Sequence, residues 1–323
     1  MGLSCAPSLL TVACRYIALQ HAELAVDMVV EADIGPTLNT YKLIYLADTH
    51  VSQKASTALA AWVSAGGTLI ATAGAGMFDE LNKTNTVMSK LLGVTGVATY
   101  EPSEVQFIKQ DLVNATTLGT ASWRPVDGSV GDNATAVAAA ARHFFTPAPT
   151  STVIASYDDD KSSPAAIHTT SGKGTIFYFS FYLGLSYFLP AMPVRPADRG
   201  GTDDAYTHFI PTQFNKDVLA LVKNISATAG VVQQVNCSNS LVHGKPVVSK
   251  TGKGVAVPLV NWAGNENLTN LTVTINVPAV KPGMKASLAT GGKVTELHQS
   301  SGSATGGVSY QLDLGIADAL ILR

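Results

Sequence analysis

Residues Pro7 to Gln20 place Leu9, Leu10, Ala13, Cys14, Ile17 and Ala18 at helical spacing, with Arg15 and Gln20 off that stripe, so the pattern predicts an opening helix. The run Ala25 to Val30 reads as a short strand, followed by the turn Ile34-Gly35-Pro36. Leu43 to Leu46 is almost unbroken in its apolar character, as expected for a parallel strand covered on both faces. Ser52 is placed to cap a helix whose inner face is Ala55, Leu59, Trp62 and Val63. Gly66-Gly67 ends that helix, and Thr68 to Thr72 is the next strand. A glycine-rich loop, Ala73 to Glu80, leads into a further helix before Val94. This alternation predicts an α/β domain of the doubly wound, flavodoxin-like kind.

Past Thr95 the pattern loosens. Ala134 to His143 reads as a short alanine-rich helix, followed by Pro147 and Pro149 in a turn. Ala165 to His168 and Thr175 to Phe181, joined through Gly172-Lys173-Gly174, read as a β-hairpin. A long polar loop runs from Pro190 to Pro211, and Lys216 to Ala227 is a closing helix. From about Val231 short β-rich runs alternate with glycine-rich turns: Val255–Val260, Leu271–Val277, Lys285–Ala289, Lys293–His298, Val308–Leu314 and Ala319–Leu322. The division expected is therefore an α/β domain over 1–230 and a small all-β antiparallel sandwich over 231–323.

Hydrophobic residues make up 46% of the 323 and charged residues 14%, which argues against disorder. The net charge of -2, with no basic block, argues against nucleic acid as a partner. No apolar run approaches the roughly 18 residues needed to span a bilayer, so no membrane partner is expected. The mildly apolar start lacks a basic leader and is interrupted by Arg15, so it does not read as a signal peptide. Seven of the fourteen asparagines open an Asn-x-Ser/Thr triplet: Asn82, Asn114, Asn133, Asn224, Asn236, Asn267 and Asn270. About two or three would follow from composition, and the excess leans toward a glycosylated protein of the secretory route or the cell exterior. Cys5, Cys14 and Cys237 form no metal spacing and leave an odd count, as expected of free thiols.

Several stretches together carry a family resemblance: Tyr41 to Leu46, Trp62 to Ile70, Gly74-Ala75-Gly76 with Asp79-Glu80, and Gly172 to Phe179. On them the first domain resembles the class I glutamine-amidotransferase-like domain of family 42 β-galactosidases, usually called their trimerisation domain. The closing Asp313 to Leu322 sits where those enzymes carry a C-terminal β-sandwich. The resemblance implies subunit packing and the walling of a neighbouring active site rather than hydrolysis. The two catalytic glutamates of that family lie on an upstream (β/α)8 barrel of about 250 residues, for which this sequence has no counterpart. A doubly wound sheet normally opens with a strand. This chain opens on a helix, so its N-terminus reads as a cut inside a longer architecture.

A working amidotransferase of this fold needs a Cys at the strand-to-helix elbow and a His held by Glu. Ala73 to Met77 holds no thiol or hydroxyl, and no His-x-Glu pair occurs, so no catalytic residues are expected. Asp79-Glu80 reads as a cap of the helix that follows, or else as a carboxylate pair, and Asp158-Asp159-Asp160 as an acidic turn. The scattered histidines, His21, His50, His143, His168, His208, His243 and His298, carry no metal spacing, and Gly74-Ala75-Gly76 lacks the order of a phosphate cradle. No cofactor and no metal are expected.

The candidate ligand or partner loop spans 195–209, with Arg195, Asp198, Arg199, Asp203, Asp204, Tyr206 and His208. The blander account is an ion-paired loop covering a sheet edge. Trp123 and Trp262 read as core residues or as sugar-stacking platforms. Taken together, the sequence points to a non-catalytic accessory region of a β-galactosidase-like glycoside hydrolase. Its expected partners are copies of itself (a trimer, by the resemblance) or a catalytic barrel, with carbohydrate as a third. The alternatives are a stand-alone carbohydrate-binding protein and a hydrolase using the 195–209 loop.

Overall fold

The computed structural model describes residues 6–102, 117–123, 134–191, 211–252, 254–264, 267–297 and 307–323. They fall into two compact units. The first takes the chain up to Ala18, then Asp27 to Ala191, then Phe214 to Val231; the second takes Leu19 to Val26, residues 211–213, and Val232 onward.

The first unit follows the apolar pattern closely at its start. Helix α1 (Ala6–His21) opens the chain. Strand β1 (Leu43–Leu46) and helix α2 (Gln53–Ser64) follow, with the Ser52 hydroxyl accepting from the Ala55 N–H to close the first turn of α2. The buried face of α2 holds Ala55, Leu59, Trp62 and Val63 as the spacing requires. Strand β2 (Thr68–Ala71) is buried throughout, and helix α3 (Thr86–Leu92) is capped by Asn85. The rest of the unit is β3 (Val94–Pro102), β4 (Thr117–Trp123), β5 (Thr135–Ala139), β6 (Ala141–Pro147), β7 (Thr152–Tyr157), β8 (Pro164–Ser171), β9 (Gly174–Phe179), α4 (Leu183–Phe188) and α5 (Lys216–Thr228).

Seven strands form one sheet in the order β1-β2-β9-β8-β7-β4-β5, and β3 pairs with β6. Only β1–β2 and β2–β9 are parallel; the pairings from β9 to β5 are antiparallel. The sheet is thus mixed, where a doubly wound layer would keep its strands parallel. Hairpins take the place of crossovers, most plainly at β8–β9, where Gly172 stands at φ +59° in the turn. Gly174 is held to a bare backbone, since a Cβ there would lie 1.9 Å from the Val63 carbonyl oxygen.

Two predicted elements differ. Ala134 to His143 is not helical: β5 and β6 occupy it, with Ala140 turning the chain at φ +64°. Alanine's helix propensity loses to packing, because Ala139, Ala140 and Ala141 are small enough to lie against Cys14, Ala73, Tyr182 and Leu185. Ala25 to Val30 is not a strand and joins no ladder.

The second unit carries β10 (Val235–Cys237), β11 (Val242–Gly244), β12 (Val247–Val248), β13 (Val255–Asn261), β14 (Leu268–Ile275), β15 (Ala286–Leu288), β16 (Val294–Leu297), β17 (Val308–Leu314) and β18 (Ala317–Leu322). Two antiparallel sheets, β10-β14-β17-β16 and β11-β13-β18-β15 with β12 on β13, share one core. Alternate residues of β17 (Val308, Tyr310, Leu312, Leu314) and β13 (Val255, Val257, Leu259) enter it. The segment Leu19 to Val26 belongs here physically: the buried Glu23 carboxylate accepts from the Cys237 N–H at 2.6 Å, and the Gln233 side-chain amide donates to the Ala22 carbonyl.

Candidate functional site

Ligand sites in open α/β sheets lie beyond the carboxyl ends of parallel strands, here β1, β2 and β9. The loop leaving β2 is stitched tightly to its surroundings. The Ala73 N–H donates to the Phe181 carbonyl at 3.4 Å, Gly76 to Asp48 at 2.8 Å and Phe78 to Thr49 at 2.9 Å. Gly76 stands at φ +65°, and a Cβ there would meet the Met88 side chain at 2.8 Å. Above the loop, Cys14 of α1, Tyr182 and Leu185 of the α4 region and the alanines of the β5–β6 turn pack onto Ala73. Ala73 is fully buried and Ala75 nearly so. The space over the loop leaving β2 is therefore filled with apolar side chains.

Beneath it lies a buried polar chain that the sequence reading did not single out. The Gly74 N–H donates to the Tyr178 hydroxyl at 3.3 Å, and that hydroxyl meets His143 Nδ1. The His143 tautomer sets which of the two donates in this contact. His143 Nε2 has no hydrogen-bond partner among the described residues. Burial lowers the His143 pKa to about 4, so the ring is neutral at pH 7. Close by in sequence, the Arg142 guanidinium lies 3.6 Å from the Tyr157 ring centre and pairs with Asp159 at 2.9 Å. The Tyr157 and Ser180 hydroxyls are 2.7 Å apart, and burial raises the Tyr157 pKa to about 12. Burial likewise pushes the Cys14 thiol up to about 12, which makes it a poor nucleophile.

The predicted site residues separate. Asp79 and Glu80 cap no following helix. Asp79 accepts from the Leu81 and Lys83 N–H groups, both at 2.9 Å, and the Lys83 bond first among its partners holds its carboxyl below the usual range. Glu80 instead accepts at 2.8 Å from the Gln53 N–H in the first turn of α2. Asn85 caps α3 because it stands immediately before Thr86, where its side-chain oxygen accepts from the Met88 N–H at 3.1 Å. The Asp158–Asp160 turn is exposed and satisfied by Lys161, Arg142 and Ser162. Trp123 is buried against Phe179 and Phe181, whereas Trp262 is 54% exposed and not in the core, so its core assignment fails.

Arg195, Asp198, Arg199, Asp203, Asp204, Tyr206 and His208 lie outside the described residues, as do Asn114 and Asn133. Of the other sequons, Asn82, Asn224, Asn267 and Asn270 are exposed and Asn236 is half-buried in β10; Asn82 Oδ1 bonds His50 Nε2 at 2.9 Å. Among the described residues, no group of three or more His, Cys, Asp or Glu side chains is placed to hold a metal. No described helix is long and apolar enough to cross a membrane.

A family model described as the β-galactosidase trimerisation domain matches residues 10–189, more than half of the chain. The chain belongs to that family. Among solved structures, a cold-adapted β-galactosidase from Rahnella sp. R3 superposes with a TM-score of 0.60 at 17% identity, over 96% of this chain and 36% of its own. A family 42 β-galactosidase from G. stearothermophilus gives 0.59 at 14%, over 100% and 37%. That of Bacillus circulans sp. alkalophilus gives 0.59 at 15%, over 97% and 37%. At such identities these likenesses establish the shared fold of both units, and the chain spans little more than a third of each enzyme. No curated protein matches the sequence.

The signals missed in the sequence were weak ones. His143 and Tyr178 are 35 residues apart and meet only because β6 and β9 converge. The one local hint was the density of aromatic and charged residues in Arg142-His143-Phe144-Phe145, which was absorbed into a helix.

Proposed function

We propose that this chain is an assembly and support region of a β-galactosidase-like glycoside hydrolase, acting through self-association and by shaping a partner's sugar-binding cleft. The observation that carries this reading is the filled space over β2: in a member of the trimerisation-domain family, the loop where an amidotransferase would keep its nucleophile is occupied by Ala73, Ala75 and the α1 and α4 side chains. In finer detail the first unit is a degenerate amidotransferase-like domain. Its parallel β1-β2-β9 core with α2 between β1 and β2 supports this, while the antiparallel β8 to β5 half is a departure. Seven sequons support passage through the secretory route. Light scattering of the purified chain across a hundredfold concentration range tests assembly. Self-association, reaching a trimer, is expected; a monomer at every concentration counts against it.

A second reading rests on Trp262, whose indole is 54% exposed. Such a face suits a sugar ring. Sugar-dependent quenching of tryptophan fluorescence, lost in Trp262→Ala, would favour a binding module. The lone hydrolase would turn over aryl-glycosides in a manner abolished by Asp204→Asn.

A further inference from the structure

The turn Asp79 to Thr84 is pinned at its base and open at its tip. The Asp79 N–H donates to the Lys83 carbonyl at 2.8 Å and the Asn82 N–H to the Asp79 carbonyl at 3.0 Å, while Phe78 and Thr84 bridge the two arms. At the tip Asn82 stands left-handed at φ +58°, a conformation that asparagine tolerates better than most residues. Its side chain is held at one end. Asn82 Oδ1 accepts from His50 Nε2 at 2.9 Å. That imidazole is itself steadied by the Thr49 hydroxyl, 3.0 Å from Nδ1, and by the Phe78 ring, 5.2 Å away between centres. Asn82 Nδ2 has no hydrogen-bond partner among the described residues.

Asn82, Asn224, Asn236, Asn267 and Asn270 open the sequons that lie within the described residues, and geometry separates them. Asn82, Lys83 and Thr84 are all exposed, and theirs is the one triplet of these for which that holds. Asn224 lies inside α5, where Ile225 and Ser226 are buried and the Ser226 hydroxyl donates to the Val222 carbonyl at 2.8 Å. Asn236 is half-buried in β10 between buried Val235 and Cys237, with Thr274 opposite it in the ladder. Asn267 and Asn270 stand at the irregular start of β14, with Leu268 half-buried and Leu271 buried.

We propose that Asn82 carries an N-linked oligosaccharide. This rests on the secretory-route reading and goes beyond it by naming the side chain. In the transfer Asn82 Nδ2 gives up one proton and bonds to the anomeric carbon of the first sugar. The bond from that carbon to the diphosphate of a lipid-linked oligosaccharide breaks, and the lipid diphosphate leaves. The fold loses no contact by it. The substituted nitrogen has no protein partner to give up, and the Oδ1 bond to His50 survives and holds the amide plane. Leu81, the preceding residue and 68% exposed, is apolar surface that a sugar ring covers.

The test takes the natural protein from its own cells and medium and removes N-glycans enzymatically in heavy-oxygen water, so that each occupied asparagine becomes a labelled aspartate in the peptide map. The expected result is near-complete label at Asn82 and none at Asn236. Two variants made in a secreting host check the assignment: Asn82→Gln, and Thr84→Ala, which breaks the sequon but keeps the His50 bond. Each should lose the mass of one glycan from the intact protein, with an unchanged circular dichroism spectrum. Label at other sequons with Asn82 blank overturns the proposal and leaves the secretory route standing. So does equal label at Asn82 and Asn236, because the folded geometry would then select nothing, and so does an unchanged mass in both variants. A natural protein with no label at any sequon removes the secretory reading as well.

Discussion

His143 shows what one buried residue can report. Its ring is held neutral by burial, with a folded pKa of about 4 against 6.5 for an exposed imidazole. A depressed histidine pKa stabilises the fold fully above about pH 6.5, and that contribution is lost as the pH falls toward 4. The whole effect is at most about 3 kcal/mol at 1.36 kcal/mol per pH unit. The melting temperature should therefore drop between pH 6.5 and 4, and His143→Phe should flatten part of that slope while costing stability at neutral pH through the lost His143–Tyr178 hydrogen bond. His21, also lowered to about 4 by burial and then by His243, keeps the remaining slope in place. An unchanged slope in the variant would mean that His143 is solvated or already charged.

At the level of elements, local rules served wherever a cap, a stop or a strict period was present. Ser52, Gly66-Gly67 and the Ala55-Leu59-Trp62-Val63 stripe fixed α2, and the period-two residues of β17 gave Val308–Leu314 to the residue. They failed where the partner decided. Ala134 to His143 has helical composition but becomes β5 and the start of β6, because its alanines pack against Cys14, Ala73, Tyr182 and Leu185. The α3 cap was misplaced because Asp79 and Glu80 carry the charge that suits a helix start, while Asn85 carries the geometry. Asn85 is fully buried, accepts from the Met88 N–H, and donates to the Val51 carbonyl at 2.7 Å and Ser56 Oγ at 2.8 Å. Asn85→Ala removes the cap and the amide bonds to the Val51 carbonyl and Ser56 Oγ, for an expected loss of about 2–3 kcal/mol, read as a lower urea midpoint. A change below about 0.5 kcal/mol would show that water replaces the amide.

For the whole molecule, the order of an α/β region followed by a β-sandwich was legible, because the texture of the chain changes from strand-helix alternation to short alternating strands near Val231. The site was less so. The absence of a thiol at Ala73–Met77 was plain, but the packing that closes the crest needs Cys14, Ala73, Ala140 and Leu185, which are distant in sequence. The second unit also takes residues from near the start of the chain, so a fragment of residues 232–323 alone lacks the Glu23 and Ala22 partners of Cys237 and Gln233. That fragment should melt lower than the same unit in the full chain, and Glu23→Ala in the full chain should reproduce part of the loss. Equal melting temperatures for fragment and full chain would show that these bonds add nothing.

The loan of Leu19–Val26 to a sandwich more than two hundred residues away constrains how such a gene can be shuffled. A crossover near codon 231 that imports a foreign C-terminal module leaves Glu23 facing a stranger. Inheritance of this β-sandwich therefore favours carrying Leu19–Val26 and the residues from Val232 onward together, and any chimera built from it should be cut outside both segments rather than between them.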